Sequence, residues 1–364
     1  MARPRRILLA QTSFLGDVIL TTPLARVLRE GFPESEIWWL VRPDAVSLIA
    51  PLAGQGRVMA FAKRGADAGV AGTWALSRRL RALRFDVAIG VQRSVRTALL
   101  LALAGIPVRI GFAGSAGAWL YHHRVPRRGV LARDRLLALA SPLGLPTEPA
   151  PSPELAVDPG AARAIDEQLG AAGVTAAERL GVVAPGSAWA TKRWPVAHFA
   201  EAARRLIPAR VDRVVVVGGL ADADLAAVIA AALPPGSVLD LTGKTDLSGM
   251  VAVVARATVV LANDSAPAHA AAALGVPVVA VFGPTVPEQG FAPIGPAVRV
   301  VGRALACRPC SRHGGQVCPI GTHECMRDLP PDVVVDAAAD LLVDAGAGKE
   351  ATRDRSGADR AERA

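Results

Sequence analysis

The chain has 364 residues, 51% of them hydrophobic, so it is long enough to bury two sizeable cores. Its longest apolar run (97–108) is too short to span a bilayer. Asp17 interrupts the apolar N-terminal region and no small-residue cleavage site is evident, so we expect a cytoplasmic protein without a signal peptide. The net charge of +9 is concentrated in residues 1–135, which hold 21 Lys and Arg against 8 Asp and Glu, whereas the remainder holds 20 against 24.

Apolar segments alternate with helical patterns through the first third of the chain. The predicted strands are 5–13, 36–42, 57–62, 85–92 and 107–112, and the predicted helices are 16–30, 73–83 and 94–104. This alternation indicates one open parallel sheet. Residues 141–160 are rich in proline and carry little helical pattern, so we expect a linker that ends in an extended segment at 154–157.

A second alternating series follows the linker. Its predicted strands are 180–186, 213–219, 237–243, 258–262 and 276–282, and its predicted helices are 195–206, 222–233, 247–255, one beginning at Ser265 or Ala266, and 331–345. The expected fold class is therefore α/β, with Rossmann-like doubly wound domains at 1–150 and 160–330, a C-terminal helix at 331–345 and a disordered tail at 346–364. Ligands of such folds bind at the carboxyl ends of the strands, so we expect an active site between the domains.

The basic first domain, with a net charge of +13 over residues 1–135, indicates an acidic partner. Nucleic acid, an anionic membrane surface, and a substrate with phosphate or carboxylate groups all fit that charge. Nucleic acid is the weakest of the three, because no Lys/Arg tract is long and Tyr121 is the only tyrosine. The alternative explanation is an arginine-rich genome whose products carry solvated arginines without a dedicated partner.

The stretch 258–285 indicates a buried strand, a polar turn, a helix of small residues and a second buried strand. The turn Asn263-Asp264-Ser265 offers side chains that cap helices, and Pro267 suits a first helical turn. A helix N-terminus at the end of a parallel strand binds anions through its N–H groups and its dipole. We interpret this stretch as a diphosphate site; an ordinary capped βαβ unit is the alternative.

The turn after the first strand carries Gly16 and Asp17, with Asp17 at the start of the following helix. A carboxylate at that position is stabilised by the helix dipole and is common without any function. Its interest comes from its expected location, because this turn should face the space between the domains.

The loop after strand 180–186 carries two adjacent cations, Lys192 and Arg193, with hydroxyls at Ser187 and Thr191. Such a loop is able to bind phosphate through the lysine, hydroxyl and backbone N–H groups together. A plain cationic surface loop is the alternative, but the position at the carboxyl end of a strand favours function.

Two further turns lie at the same edge of the second sheet. Gly218 and Gly219 let a ligand approach the backbone, and Asp222 is placed to accept hydrogen bonds from a ribose. Asp222 and Asp224 also fit a divalent metal, although acids in a first helical turn are more often caps. Thr242 and Gly243 follow the next strand and either line a nucleoside pocket or form a simple turn.

All four cysteines are clustered near the end of the chain, at Cys307, Cys310, Cys318 and Cys325. Clustering in a reducing compartment favours zinc over disulfides, and His313 and His323 are additional candidate ligands. The spacing is not that of a standard pair of C-x2-C motifs, so unligated thiols in a loop are the alternative to a structural zinc site.

Three blocks taken together resemble the bacterial ADP-heptose:lipopolysaccharide heptosyltransferases, glycosyltransferase family nine. They are TSFLGDVILTTPLARVLRE, VAPGSAWATKRWPVAHFAEAARRL and LANDSAPAHAAAALGVPVVAVFGPT, at 12–30, 183–206 and 261–285. The second and third blocks, with the cysteine-rich segment, resemble heptosyltransferase II more than heptosyltransferase I. The likeness extends from residue 5 to about residue 345, and its motifs are specific as a set.

The resemblance implies a GT-B architecture, in which two Rossmann-like domains face each other across a cleft. The first would bind the acceptor and the second would bind ADP-heptose. It implies that Asp17 is the general base and that Lys192 contacts the donor diphosphate, with Ser187, Thr191 and Arg193 nearby. It also implies donor binding by Asp222, Thr242, Gly243, Asp264, Ser265 and His269. Ala266 departs from the family, which usually has glycine there.

The reaction that the resemblance implies is an inverting transfer of heptose to the inner core of lipopolysaccharide, the second heptose onto the first, with no required cofactor. The expected acceptor is Kdo-lipid A bearing one heptose, whose acidic groups suit the basic domain, and the enzyme would contact the cytoplasmic face of the inner membrane peripherally. Heptosyltransferase I activity on Kdo-lipid A and a GT-B sugar-nucleotide epimerase are the alternatives.

Overall fold

The structure is a computed structural model that describes residues 3–54 and 56–344. The chain divides into two compact units. The first unit runs through Ala156 and takes in the later segment Glu288–Phe291. The second unit begins at Val157 and contains the rest of the described chain.

The first unit is a parallel sheet covered by helices. Its strands are β1 (Arg6–Gln11), β2 (Glu36–Val41), β3 (Val58–Ala60), β4 (Val87–Gly90), β5 (Val108–Phe112) and β6 (His123–Val125). Its helices are α1 (Leu15–Leu20), α2 (Thr22–Gly31), α3 (Val46–Ala53), α4 (Gly69–Ala82), α5 (Val95–Leu103) and α6 (Ala132–Leu137). The strand order is β3-β2-β1-β4-β5-β6. Strand β1 is central and its apolar residues from Ile7 to Ala10 are inaccessible to solvent, as expected of a strand covered on both faces.

The second unit repeats this plan. Its strands are β7 (Leu180–Ala184), β8 (Arg213–Val216), β9 (Val238–Asp240), β10 (Ala257–Asn263), β11 (Val278–Val281) and β12 (Val298–Val301). Its helices are α7 (Pro159–Ala171), α8 (Val196–Leu206), α9 (Ala223–Ala232), α10 (Leu247–Ala255), α11 (Ala266–Ala273), α12 (Glu324–Arg327) and α13 (331–344). The strand order is β12-β11-β10-β7-β8-β9, which is the order of the first sheet with the strands renumbered.

Local sequence explains where several helices begin. Asp158 accepts a hydrogen bond from the backbone N–H of Ala161 at the start of α7, and Asp246 accepts one from Gly249 at the start of α10. Each carboxylate satisfies an N–H group that lacks a partner inside its own helix. Within α11, Pro267 occupies the first turn, where a missing N–H costs nothing.

The structure corrects several predicted boundaries. The helix predicted at 16–30 is two helices, α1 and α2, because the chain turns at Thr21, whose hydroxyl donates to the Asp17 carbonyl (2.7 Å). The segment predicted as a linker at 141–160 has no helix or strand from 145 to 158, but its first three residues end a short 3-10 helix and its last two begin α7. The strands β6 and β12 and the helices α3, α6, α7 and α12 were not predicted. The predicted disordered tail lies outside the described residues.

Within the described ranges, no helix is both long enough and apolar enough to cross a membrane.

Candidate functional site

The strand order locates the ligand-binding edge of each sheet. In each unit the chain starts at a central strand, adds two strands on one side, and then crosses to the other side. The crossing points lie between β1 and β4 and between β7 and β10. The loops that leave neighbouring strands diverge there, which opens a crevice at the carboxyl ends.

A buried ion pair occupies this position in the second unit. Lys192, in the loop after β7, places its Nζ 2.5 Å from Oδ2 of Asp264, which follows β10. The two side chains are only 11% and 9% exposed. Thr285, in the loop after β11, donates its hydroxyl to the same carboxylate oxygen at 2.6 Å. The carboxylate is therefore held from two sides in a place where solvent screening is weak.

Asn263 ties the loop after β7 to the end of β10. Its buried amide donates to the Pro185 carbonyl (2.8 Å) and accepts from the Trp194 backbone N–H (3.0 Å). Trp194 is itself buried, and its indole N–H donates to the Leu329 carbonyl (3.0 Å). The loop that carries Lys192 is thus fixed at its two ends.

Helix α11 begins at Ala266, two residues after Asp264, so the positive end of its dipole lies beside the ion pair. Ser265 occupies the position before the helix, but its hydroxyl donates to the Asn263 carbonyl (3.2 Å) instead of capping the helix. His269 is buried on α11, and among the described residues its Nδ1 has no hydrogen-bond partner. Burial lowers the pKa of His269 to about 4, so its imidazole is neutral at physiological pH.

The Asp222 side chain occupies the space next to the Cα atoms of Gly186 and Gly218. Its Oδ2 accepts a hydrogen bond from the Gly219 backbone N–H (3.0 Å). A Cβ atom at Gly186 would lie 2.4 Å from this oxygen, and one at Gly218 would lie 2.8 Å from it. The carboxylate therefore joins the loops after β7 and β8, and both positions require glycine for that close approach.

Three more predicted donor-binding residues make local contacts at the same edge. Arg193 turns back to donate to the Ser187 carbonyl (3.0 Å). The Thr242 hydroxyl donates to Oδ1 of Asp240 (2.5 Å). Gly243 adopts a positive φ of 68° and donates its N–H to the Gly218 carbonyl (2.9 Å), which holds the loops after β8 and β9 together.

The predicted phosphate contact by Thr191 competes with a structural role. Thr191 is buried, and its hydroxyl donates to the Gly315 carbonyl (2.8 Å) while accepting from the Gly315 N–H (2.8 Å). A ring nitrogen of His323 lies 2.8 Å from the Thr191 carbonyl. The segment that contains the cysteines therefore packs on the loop that contains Lys192.

The four cysteines are free thiols in the structure. Burial raises the pKa of Cys310 and of Cys325, whereas backbone hydrogen bonds, the largest from His323, outweigh burial and lower the pKa of Cys318. Among residues 3–54 and 56–344, no group of three or more His, Cys, Asp or Glu side chains is arranged to hold a metal ion. The structural zinc site at these four cysteines therefore stays a prediction from their spacing.

A polar network occupies the crossing point of the first unit. The Gln92 amide, after β4, donates to the Ser13 hydroxyl (2.5 Å) and to Oε1 of Gln11 (3.1 Å), while its oxygen accepts from the Thr12 hydroxyl (2.6 Å). Asp17 is half-buried in the first turn of α1, next to these residues in the chain. Burial and the charge of Arg127 lower the pKa of Arg135 on α6, although the charges of Asp134 and, to a smaller extent, Asp17 act to raise it.

Two cations adjoin the same network. Lys63 Nζ lies 3.2 Å from the Thr97 hydroxyl and 3.4 Å from Oε1 of Gln92. Arg96 donates to the carbonyls of Lys63 (2.8 Å) and Asp67, and both cations lie over the Phe61 ring. Burial, and secondarily the charge of Arg96, lower the pKa of Lys63 to about 8. A half-buried amine beside a second cation is well suited to receive an anion.

Comparison with known proteins assigns the chain to a family. A family model described as glycosyltransferase family 9 (heptosyltransferase) matches residues 73–319, which is more than half of the chain. The chain belongs to glycosyltransferase family 9. It is accordingly a glycosyltransferase enzyme.

Known heptosyltransferases are similar to this chain over most of its length and most of their own. Lipopolysaccharide heptosyltransferase 2 of Escherichia coli K12 is 29% identical, covering 93% of this chain and 99% of the relative. Lipopolysaccharide heptosyltransferase 1 of Pseudomonas aeruginosa is 30% identical, covering 84% of this chain and 86% of the relative. The solved structure of E. coli ADP-heptose lps heptosyltransferase II superposes with a TM-score of 0.76 at 25% identity, covering 94% of this chain and 99% of that one.

These comparisons confirm the fold class predicted from the sequence. This family 9 chain is an α/β protein of the GT-B class, with a doubly wound parallel sheet in each unit. The roles assigned to individual residues stay predictions. Thr285, Gln92, Lys63 and Arg96 lie at these sites and were not predicted. The first three lie within four residues of a strand's carboxyl end, which was the available indication.

Proposed function

We propose that this glycosyltransferase moves L-glycero-D-manno-heptose from ADP-heptose to the inner core of lipopolysaccharide, adding the second heptose to the first with inversion. The observation that carries the donor assignment is the buried Lys192–Asp264 pair beside the N-terminus of α11. An ammonium group, a helix dipole and neighbouring backbone N–H groups together are suited to a diphosphate. The names of the relatives support heptose as the sugar.

In this proposal the second unit holds the donor. Lys192 binds the diphosphate, with Ser187, Thr191 and Arg193 shaping the loop around it. Asp264, Ser265 and His269 hold the phosphates and the sugar. Neutral His269 offers hydrogen bonds without adding charge. The nucleoside half of the donor is bound by Asp222, Thr242 and Gly243, which lie in the loops after β8 and β9.

Asp17 is the proposed general base. Its carboxylate takes the proton from a hydroxyl of the acceptor's heptose as that oxygen bonds to the anomeric carbon of the donor. The bond from the anomeric carbon to the phosphate oxygen breaks, and ADP leaves with the electron pair. One displacement from the opposite face inverts the configuration. Lys192 and the dipole of α11 stabilise the negative charge that develops on ADP, because both are already oriented toward it.

The acceptor is proposed to be acidic, a Kdo-lipid A that already bears one heptose. Lys63 supports this assignment, since its Nζ lies 3.4 Å from Oε1 of Gln92, which also accepts from Thr12 in the turn before Asp17. Arg96 adds a second positive charge beside Lys63. The net charge of +13 over residues 1–135 would draw such an acceptor toward the first unit.

Lys63 makes acceptor binding dependent on pH. Because its folded pKa is about 8 instead of the ordinary 10.5, it loses its proton as the pH rises through 8, and the acceptor KM should rise above that pH. Between about pH 8 and 10.5 the folded protein has lost the Lys63 proton while the unfolded chain still binds it, so the contribution of Lys63 to the free energy of unfolding increases with pH. The titration of Lys63 therefore does not raise the KM by unfolding the protein. Steady-state kinetics from pH 7 to pH 9.5 measure the effect.

Two variants separate charge from packing at this position. Lys63→Arg should keep a low acceptor KM across the whole range, and Lys63→Met should show a high KM that does not change with pH. A wild-type acceptor KM that is flat across pH 8 would exclude Lys63 from the acceptor site.

We also propose a cytoplasmic enzyme that contacts the inner membrane peripherally. Trp119 is 68% exposed on a short turn that packs on α5, whose outer face carries exposed Val95 and Leu99. Apolar side chains beside a basic surface suit an anionic bilayer. Sedimentation with phosphatidylglycerol vesicles should retain wild-type protein, and Trp119→Ser should weaken retention while Val343→Ser, on α13, should not. Equal binding to phosphatidylcholine vesicles would contradict the electrostatic part.

Acceptor choice tests the function as a whole. Purified enzyme is incubated with ADP-heptose and Kdo-lipid A that carries either no heptose or one heptose, and products are resolved by mass spectrometry. We expect transfer only to the acceptor with one heptose. Product only from the unheptosylated acceptor would make the enzyme a heptosyltransferase I. Consumption of ADP-heptose without any acceptor would indicate an epimerase or a hydrolase instead.

A further inference from the structure

The cysteine-rich part of the chain contacts both sides of the Lys192–Asp264 pair. We call residues 302–323 the cysteine segment; it lies between β12 and α12 and holds three of the four cysteines. The loop 187–193 after β7 carries Lys192, and the loop 282–285 after β11 carries Thr285. The cysteine segment bonds to the backbone of each loop, so it is placed to set the distance between them.

On the lysine side, the contact is close and specific. Thr191 and Gly315 exchange three hydrogen bonds of 2.8–3.0 Å. Gly314 has a φ of 92°, and a Cβ there would lie 2.9 Å from Trp189 Cβ and 3.2 Å from Lys192 Cγ. The aliphatic stem of Lys192 is therefore packed against bare backbone, which limits its rotamers.

On the carboxylate side, Arg308 provides the contact. One of its Nη atoms donates to the carbonyls of Phe282 (3.0 Å) and Thr285 (2.9 Å). Cys310 adds a backbone hydrogen bond to the Pro284 carbonyl (3.1 Å). A cationic donor that bonds two carbonyls of one turn fixes that turn. The Thr285 side chain then points to Asp264, and its hydroxyl oxygen lies 2.6 Å from Oδ2 of that carboxylate.

We infer that Thr285 is a positioning residue for the Lys192–Asp264 pair and that Arg308 holds Thr285 in place. Oδ2 of Asp264 accepts from both Lys192 and Thr285, so the hydroxyl fixes the rotation of the carboxylate, and the carboxylate fixes the ammonium group. Without the hydroxyl, Lys192 and Asp264 remain paired but sample several arrangements. A diphosphate must then order both side chains when it binds, which weakens binding. The inference rests on the proposed function only for the identity of the ligand.

Two readouts test this, one of which needs no ligand. The first is the rate at which an amine-reactive acetylating reagent labels Lys192, followed by mass spectrometry with Lys244 as internal reference. The second is the KM for ADP-heptose relative to the KM for the acceptor. Thr285→Val keeps the shape and removes the hydroxyl, and Thr285→Ser keeps the hydroxyl. Thr285→Ala provides a second deletion if the valine variant is poorly folded.

We expect Thr285→Val and Thr285→Ala to label Lys192 faster and to raise the donor KM about tenfold, as loss of a hydrogen bond to a charged group predicts. The acceptor KM should not change, and Thr285→Ser should behave as wild type. Arg308→Met should reproduce the faster labelling. Wild-type labelling rates in both deletion variants would overturn the inference. If the wild-type enzyme does not use ADP-heptose, the proposed function fails, and the labelling rates alone decide the role of Thr285.

Discussion

Asp17→Asn is expected to lower kcat by roughly 10²–10⁴-fold, the range that general base catalysis usually supplies. The amide has nearly the same shape as the carboxylate but has no basic oxygen to take a proton from the acceptor hydroxyl. The Asp17 carbonyl, which accepts from the Thr21 hydroxyl (2.7 Å), is a backbone group and survives the change. The turn between α1 and α2 should therefore remain intact.

The Asp17→Asn substitution should not change the affinity for the nucleotide of the donor. Asp17 belongs to the first unit, and Lys192 and Asp264 belong to the second. Calorimetric titration with ADP should therefore give the same Kd for Asp17→Asn and for wild type. A rise in the ADP Kd would mean that the substitution disturbs donor binding and would remove the simple base assignment.

Asp44→Asn is the matched control. Asp44 also lies in a first helical turn after a strand of the first sheet, but it is exposed and pairs with Arg42. Exposed ion pairs of this kind contribute little to the free energy of unfolding, so the Asp44→Asn variant should stay folded. Its kcat should therefore stay near the wild-type value. Substantial turnover by Asp17→Asn, or an equal loss in Asp44→Asn, would contradict the proposed role of Asp17.

The sequence predicted the features that depend on hydrophobic periodicity. Long apolar runs such as β1, β7 and β10 were recognised because a parallel strand buried on both faces has few polar residues. The polar residues that follow such strands, including Lys192 and Asp264, were recognised because ligands of these folds bind at that edge. That Lys192 and Asp264 would contact each other was not predicted, because the order of strands β7 and β10 in the sheet is not a local property.

The strands and helices that were not predicted are short or have no clear hydrophobic periodicity. Strand β6 has only three residues, and β12 is four residues that are only partly buried, so neither gives a continuous apolar run. Helix α7 starts at Pro159 inside a proline-rich segment, where proline suggested a linker although it also suits the first turn of a helix. The hydrogen bonds of Thr191 and Thr285 depend on contacts between distant parts of the chain. No local pattern encodes such contacts.

Lys192→Met is expected to abolish measurable donor binding and to lower the free energy of unfolding by about 3–5 kcal/mol. The stability loss arises because the Asp264 carboxylate, 9% exposed, keeps its buried negative charge after its cationic partner is removed. A loss of activity in this variant could therefore reflect misfolding instead of a missing contact with the diphosphate. Thermal unfolding and ADP titration on the same sample measure the two effects.

The double variant Lys192→Met/Asp264→Asn separates them. Removing both charges leaves no uncompensated ion, so the double variant should regain most of the lost stability. It should still fail to bind ADP or to transfer heptose, because nothing replaces the ammonium group at the diphosphate. Lys244→Met removes an exposed lysine of the same unit and should alter stability only slightly.

The comparison of the two variants decides what the ion pair is for. If the double variant is stable and inactive, the Lys192–Asp264 pair is required for the donor and not for the fold, and the pairing is how the unliganded protein tolerates the ammonium charge in a buried place. If Lys192→Met keeps a normal ADP Kd, the donor assignment of the loop after β7 is wrong. If the double variant binds ADP as well as wild type does, the helix dipole of α11 suffices for the diphosphate and Lys192 is a structural residue.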